Sequence, residues 1–181
     1  YKSEPLIVIL PRSNGKKLLD YVKFIEQISY FVNAKFIFAI RPTRYLKEFS
    51  KFNSKKVKVV SGPKDFYNLL SAADLAICEN DNNKSTSLLP LACMEAMLRN
   101  TPILTNNVPG IKELVVDKFN GLIFKDKKDL KKILINIKAN RIKILKNNSK
   151  KIIENKININ LICETYYKHW NHIINSQEFK N

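Results

Sequence analysis

The sequence predicts an α/β fold, a mostly parallel sheet with helices on both faces and further helices at the C-terminus. Three observations carry that expectation. Leu6 to Leu10 reads LIVIL, a continuous, largely β-branched run of the kind shown by a strand buried on both faces. Strand-like and helix-like segments then alternate along the chain, which implies right-handed crossovers between parallel strands. A hydrophobic fraction of 45% over 181 residues suffices for one sizeable core, and the length favours one domain.

In chain order, Pro11 closes the first strand. From Lys17 to Val32 the residues Leu18, Tyr21, Val22, Phe24, Ile25, Ile28 and Phe31 recur at helical spacing, and Asn33 follows as a stop signal. Lys35 to Ile40 reads as a strand, Thr43 to Phe52 as a helix, Lys56 to Val60 as a strand, Asp65 to Ala73 as a helix and Asp74 to Cys78 as a strand. A polar loop through Glu79–Lys84 leads to a helix around Leu88 to Leu98 and a strand at Pro102 to Thr105. After Asn120-Gly121, Leu122 to Phe124 is a short strand and roughly Asp126 to Ala139 a helix, followed by an Asn/Lys-rich patch around Lys146 to Lys151. Ile162, Tyr166, Trp170, Ile173 and Ile174 mark a terminal helix with more aromatic surface than the domain's own sheet needs. The chain thus divides into a Rossmann-like domain over residues 1–158 and a C-terminal helix over 159–181.

Composition limits the function classes. No run approaches the roughly 20 apolar residues of a membrane-spanning helix, and Tyr1 to Pro5 lacks a signal-peptide pattern. The reading is a soluble, cytoplasmic domain, with the inner membrane face open as a peripheral location. Cys78, Cys93 and Cys163 are odd in number, far apart and set among apolar residues, which favours buried thiols over a disulfide framework or a zinc cluster. Thirty-two basic against sixteen acidic residues give a net charge of +16, enough to attract phosphates, nucleic acid or an anionic membrane. Charge alone does not choose among them, and solvated faces of amphipathic helices would carry it equally well. The sequence has no aromatic-interleaved basic strand or recognition-helix signature, so nucleic acid is not expected as a partner.

Ligands of open parallel sheets bind at the carboxyl ends of the strands, which directs attention to the loops that follow them. After the first strand, Pro11 to Lys17 offers Gly15 for a tight turn, Arg12 to fork onto phosphate oxygens, Lys17 as a point charge and the free N–H groups of a helix start. The reading is either an anion site or a basic surface loop; the glycines of a P-loop or a dinucleotide fingerprint are missing. After the third strand, Ser61 and Gly62 could bring backbone close to a flat ligand such as a nucleobase. Ser85 to Met97 places hydroxyls before an apolar helix, with Glu95 two turns in. That carboxylate is either on the wet face or held by a dedicated partner, and two ribose hydroxyls would satisfy it. Thr105 to Val115 is a strand, a Pro-Gly turn and a short helix.

Taken together, these segments resemble the C-terminal domain of the retaining glycosyltransferases of the GT-B architecture, called group 1 or family 4. Arg12 and Lys17 keep the separation of that family's Gly-Arg-Leu and Lys-Gly elements, though both glycines are replaced. Val59 to Gly62, followed by Leu69 to Leu75 with its Ala72-Ala73-Asp74, is similar to the family's base-binding loop and Ala-Ala-Asp strand entry. Glu95-Ala96-Met97 with Thr101-Pro102-Ile103-Leu104 resembles Glu-Ala-Met-Ala and Gly-Thr-Pro-Val; Val108 to Val115 with Asn120-Gly121-Leu122 resembles Val-Gly-Gly-Ile-x-Glu-Leu-Val and Asn-Gly-Leu.

The resemblance implies a donor site for a nucleotide-diphosphate sugar such as a UDP- or GDP-sugar. Arg12 and Lys17 would act on the diphosphate as the catalytic cations, Ser61 and Gly62 on the base, Ser87 and the amides of Leu88 and Leu89 on phosphate and sugar, and Glu95 on the ribose. It also implies hexosyl transfer with retention to a glycan or lipid-linked acceptor, with no cofactor and no metal, since two cations and a helix N-terminus take the charge on the leaving diphosphate. One departure weakens the catalytic expectation: Ser87 stands where the family has a second glutamate, eight residues before Glu95. Family members also carry an N-terminal acceptor-binding domain, which residues 159–181 would cover, so transfer by this chain alone is not expected.

Two other readings stay open. Leu10-Pro11-Arg12-Ser13 is similar to the Leu-Pro-Gly-Ser-Arg of lipid-A-disaccharide-synthase-like enzymes, and a nucleotide-sugar epimerase shares the architecture, but that pattern lacks the Ile-x-Glu-Leu-Val and Asn-Gly-Leu elements. A non-enzymatic basic module would instead bind an anionic membrane or nucleic acid with steep salt dependence. Glu79-Asn80-Asp81 resembles the metal-binding acidic triplet of the other glycosyltransferase architecture but lies in a loop that the group 1 resemblance leaves variable, and the His169/His172 pair lacks a third ligand, so neither is read as a metal site.

Overall fold

The computed structural model describes residues 4–11, 15–41, 46–52, 54–62, 65–79, 91–108, 110–156 and 158–175. Among these residues six strands form one sheet: β1 (Leu6–Ile9), β2 (Lys35–Ile40), β3 (Val57–Ser61), β4 (Leu75–Cys78), β5 (Ile103–Asn106) and β6 (Gly121–Phe124). Every pairing is parallel, and the order is β3-β2-β1-β4-β5-β6. That is the doubly wound order, in which the chain reverses its direction of travel between β1 and β4.

β1 shows why the sheet lies at the centre. Ile7, Val8 and Ile9 have no exposed surface, and their side chains alternate between two cores as a strand's period of two requires. Ile7 and Ile9 join α1 (Gly15–Ser29) and α6 (Lys127–Asn136) on one face. Val8 and Leu10 join α3 (Phe66–Ala72), α4 (Leu91–Leu98) and α5 (Ile111–Leu114) on the other. Cys78 and Cys93 are buried within this second core, whereas Cys163 is exposed, contrary to the expectation that all three are buried; none is disulfide-bonded.

The helices depart from expectation in two places. The helix expected over Thr43 to Phe52 is, within the described residues, a single turn α2 (Leu46–Phe49) followed by a 3₁₀ turn at Ser50–Phe52. One buried side chain, Phe49, anchors it. The Asn/Lys-rich patch is instead the middle of an 18-residue helix, α7 (Ala139–Lys156). Its buried residues Ile142, Leu145, Ser149 and Ile153 fall three or four apart, so a narrow seam packs while Lys143, Lys150 and Lys151 between them stay in water. Leu145 belongs to one core and Ile153 to the other. Polar side chains fasten the same helix to backbone carbonyls at the amino edge of the sheet: Arg141 to Lys118, Asn148 to Phe119 at 2.9 Å and Lys146 to Ala73 at 3.4 Å.

Several of the motif residues turn out to hold the frame. The Asp74 carboxylate accepts the Leu6 amide at 2.8 Å and so sets β4 beside β1. The buried Thr101 hydroxyl donates to the Leu70 carbonyl at 2.6 Å, closing the end of α3. Asn120, fully buried, accepts from the Val116 amide and donates to the Leu114 carbonyl, both at 2.7 Å. A Cβ at Gly121 would lie 2.7 Å from the Ile103 carbonyl oxygen and 2.9 Å from Val115 Cγ1, so only glycine lets β6 approach β5 here. The terminal helix α8 (Ile159–Asn175) has no buried residue.

Candidate functional site

The site is the carboxyl edge of the sheet around the β1/β4 divergence, where the two flanking connections leave in opposite directions and open a crevice. β1 hands over through Leu10, whose amide donates to the Ile77 carbonyl at 2.9 Å, and Pro11. Arg12 lies outside the described residues. α1 then begins at Gly15 with φ of 60°, a left-handed conformation that the absent side chain makes cheap. Lys17 is exposed on the first turn of this 15-residue helix, where unpaired amides and the macrodipole favour an anion.

Ser61 ends β3, and Gly62 follows with φ of 52°, its amide donating to the Ile40 carbonyl at 2.9 Å. Both therefore sit at the carboxyl edge as expected, Ser61 partly buried and Gly62 exposed. β4 ends at Cys78, and Ser87, Leu88 and Leu89 lie outside the described residues. Glu95 is half-buried in the second turn of α4. Of the two alternatives the sequence left, neither extreme holds. Lys17, Ser61, Gly62 and Glu95 share one edge of the sheet, on the connections and opening turns of the helices that follow β1, β3 and β4.

Three further polar groups are buried at the same edge. Thr105 and Asn106 close β5 with 0% and 9% exposure, Thr105 in register with Cys78 of β4. Tyr21 projects from α1 into the core against Phe38, edge to face with ring centroids 5.8 Å apart. Burial foremost, then the charges of Glu79 and Cys78 at the end of β4, pushes its hydroxyl well above the usual phenol range. That hydroxyl has no hydrogen-bond partner among the described residues. Helical spacing reads Tyr21 as an ordinary stripe residue and the strand end reads Thr105-Asn106 as a boundary, so only the topology brings them to the site. Among the described residues no group of three or more His, Cys, Asp or Glu is placed to hold a metal ion, and no helix is long and apolar enough to cross a membrane.

A 3-2-1-4-5-6 parallel sheet with helices on both faces defines the class of doubly wound, Rossmann-like α/β domains. Comparison narrows the class: the family model described as glycosyl transferases group 1 matches residues 43–158, and the chain belongs to that family, as its C-terminal domain. Among solved structures, HepE from Anabaena, in complex with UDP, superposes with a TM-score of 0.73 at 17% identity over 94% of this chain and 49% of its own. WaaG, a glycosyltransferase involved in lipopolysaccharide biosynthesis, gives 0.64 at 15% identity over 85% and 44%. The C-terminal domain of the group 1 family protein LpcC from Francisella tularensis gives 0.64 at 13% identity over 84% of this chain and 85% of that one. No curated protein sequence matches significantly. At these identities the likenesses show the fold, and the chain spans about half the length of HepE.

Proposed function

We propose that this domain binds the donor of a glycosyl transfer, a hexose-type sugar carried on UDP or GDP and passed with retention to a glycan or lipid-linked acceptor. The observation that carries the reading is the placement of Lys17 on the first turn of α1 and Glu95 in the second turn of α4. These two helices follow the strands that flank the crevice. HepE, of the same fold, is seen with UDP and with UDP-glucose.

In this reading Arg12 and Lys17 contact the diphosphate and stabilise the charge that grows on it as the glycosidic bond breaks. Ser61 and Gly62 border the base, Ser87 with the Leu88 and Leu89 amides meets phosphate and sugar, and Glu95 accepts from the two ribose hydroxyls. The two cations and the helix N-termini take the role that a metal plays in other phosphoryl-leaving reactions. Residues 1–158 form the donor domain, and the segment 159–181, which contains α8, covers an N-terminal acceptor domain. The 61% exposure of Trp170 and the lack of any buried residue in α8 favour such a partner surface.

Thermal unfolding with a panel of nucleotide diphosphates and their sugars tests the reading. UDP or GDP should raise Tm in step with the logarithm of its concentration, reaching about 2.7 kcal/mol of stabilisation at a hundredfold excess over Kd, and Arg12→Ala and Glu95→Ala should each abolish the rise. No response to any nucleotide diphosphate would overturn it.

A further inference from the structure

Two apolar surfaces remain exposed away from the candidate site, and their charge sets them apart. α8 offers Tyr166, Tyr167, Trp170 and Ile174, each more than 60% exposed, on a helix whose only carboxylate and ammonium are Glu164 and Lys168. The other surface lies where α1 meets α6. There Tyr30 and Phe31 are 75% and 67% exposed on the turn that ends α1. The Lys131 ammonium lies 5.6 Å from the Phe31 ring centroid, and Lys127 lies 5.6 Å from that of Phe24. Ile135, 42% exposed, follows Lys131 by one turn of α6.

The charge around this second surface is mainly positive: Lys127, Lys128, Lys131 and Lys132 on α6 and Lys23 on α1 are exposed, against Asp20 and Glu26 on α1. From Leu130 to Ile153 there are eight Lys or Arg and no Asp or Glu. Arg141 and Lys146 are committed to backbone carbonyls and Lys150 to Glu154 at 3.9 Å, while Lys131 and Lys132 on α6 and Lys138, Lys143 and Lys151 beyond it are exposed. Asp126 and Asp129, at the start of α6, are occupied in accepting backbone amides.

We propose that the α1/α6 surface docks on an anionic membrane, with Tyr30 and Phe31 in the headgroup layer and the α6 lysines against lipid phosphates. Amphipathic rings beside ammonium groups fit that layer, where the apolar body and the charge are both accommodated. A cluster of exposed lysines gains from a negative surface potential within a Debye length. A protein partner would have to neutralise the lysines to cover the rings, whereas a phosphate-rich bilayer does both. Because the α1 end lies at the amino edge of the sheet, the nucleotide site at the carboxyl edge would point away from the bilayer. The proposal is independent of the donor reading.

Sedimentation with phosphatidylcholine vesicles, with and without 30–40% or so phosphatidylglycerol, tests it on the whole protein. Binding should appear only with the anionic lipid and fall steeply with salt. The double variant Tyr30→Ser/Phe31→Ser should weaken it at least tenfold, as should Lys127→Glu/Lys131→Glu, while Tyr166→Ser/Trp170→Ser on α8 leaves it unchanged. Equal binding to neutral vesicles, loss only in the α8 variant, or binding insensitive to Tyr30 and Phe31 and fully competed by single-stranded RNA at equal phosphate would each overturn it.

Discussion

Asn100 carries the left-handed turn that ends α4. Its φ is 60°, its amide donates to the Met97 carbonyl, and the next amide, that of Thr101, reaches back to Ala96, both at 2.9 Å. That pair of bonds is the Schellman ending, which glycine suits best and asparagine next. The side-chain oxygen of Asn100 is buried without a hydrogen-bond partner among the described residues, so the residue adds both backbone strain and desolvation. Asn100→Gly removes both at the expense of a more flexible unfolded chain. The balance predicts a gain of about 1 kcal/mol, a Tm higher by about 2–4 °C; an unchanged or lower Tm in thermal unfolding would show the asparagine to be held by a partner. The motif residues around it divide by role. Asp74, Thr101, Asn120 and Gly121 are accounted for by bonds and close contacts within the frame, and among the described residues no such bond holds the Glu95 carboxylate, which is one reason we propose it for the ligand.

At the scale of elements, the sheet was legible from sequence and α7 was not. LIVIL and KFIFAI are apolar on both faces because helices cover both faces, and no other local structure fits runs so short and so branched. α7 buries one narrow seam, and one of its four buried positions is a serine, so lysine and asparagine dominate the local pattern. Its packing is tertiary: it is held by both cores and by the backbone carbonyls that Arg141, Lys146, Asn148 and Lys156 reach, rather than by its own periodicity. Ile153→Ala should therefore cost about 3 kcal/mol, while Lys150→Ala and Lys151→Ala stay within about 0.5 kcal/mol. Chemical denaturation of the three variants distinguishes the two classes, and equal small effects would mean that the helix is not part of the cooperative core. The candidate site divides in the same way. Lys17, Ser61, Gly62 and Glu95 were found because they follow strand ends, whereas Tyr21, Thr105 and Asn106 became visible only when β4 and β5 were set side by side.

At the scale of the whole molecule, the two edges of the sheet differ in character. The carboxyl edge carries the crevice between β1 and β4, and the amino edge carries exposed rings and lysines in a chain of net charge +16. An excess of that size draws any phosphate compound to the surface nonspecifically, so binding alone does not locate the donor. At 21.0 kDa the protein is within reach of amide-resolved NMR, and titration with UDP or GDP, watched through backbone ¹⁵N–¹H shifts, tests the central claim most directly. Saturable changes at Gly15, Lys17, Ser61, Gly62 and Glu95, with the amides of α7 and α8 unmoved, are the predicted result. Changes confined to the lysines of α6 and α7, or spread over the surface without saturating, would contradict a donor site at the β1/β4 crevice.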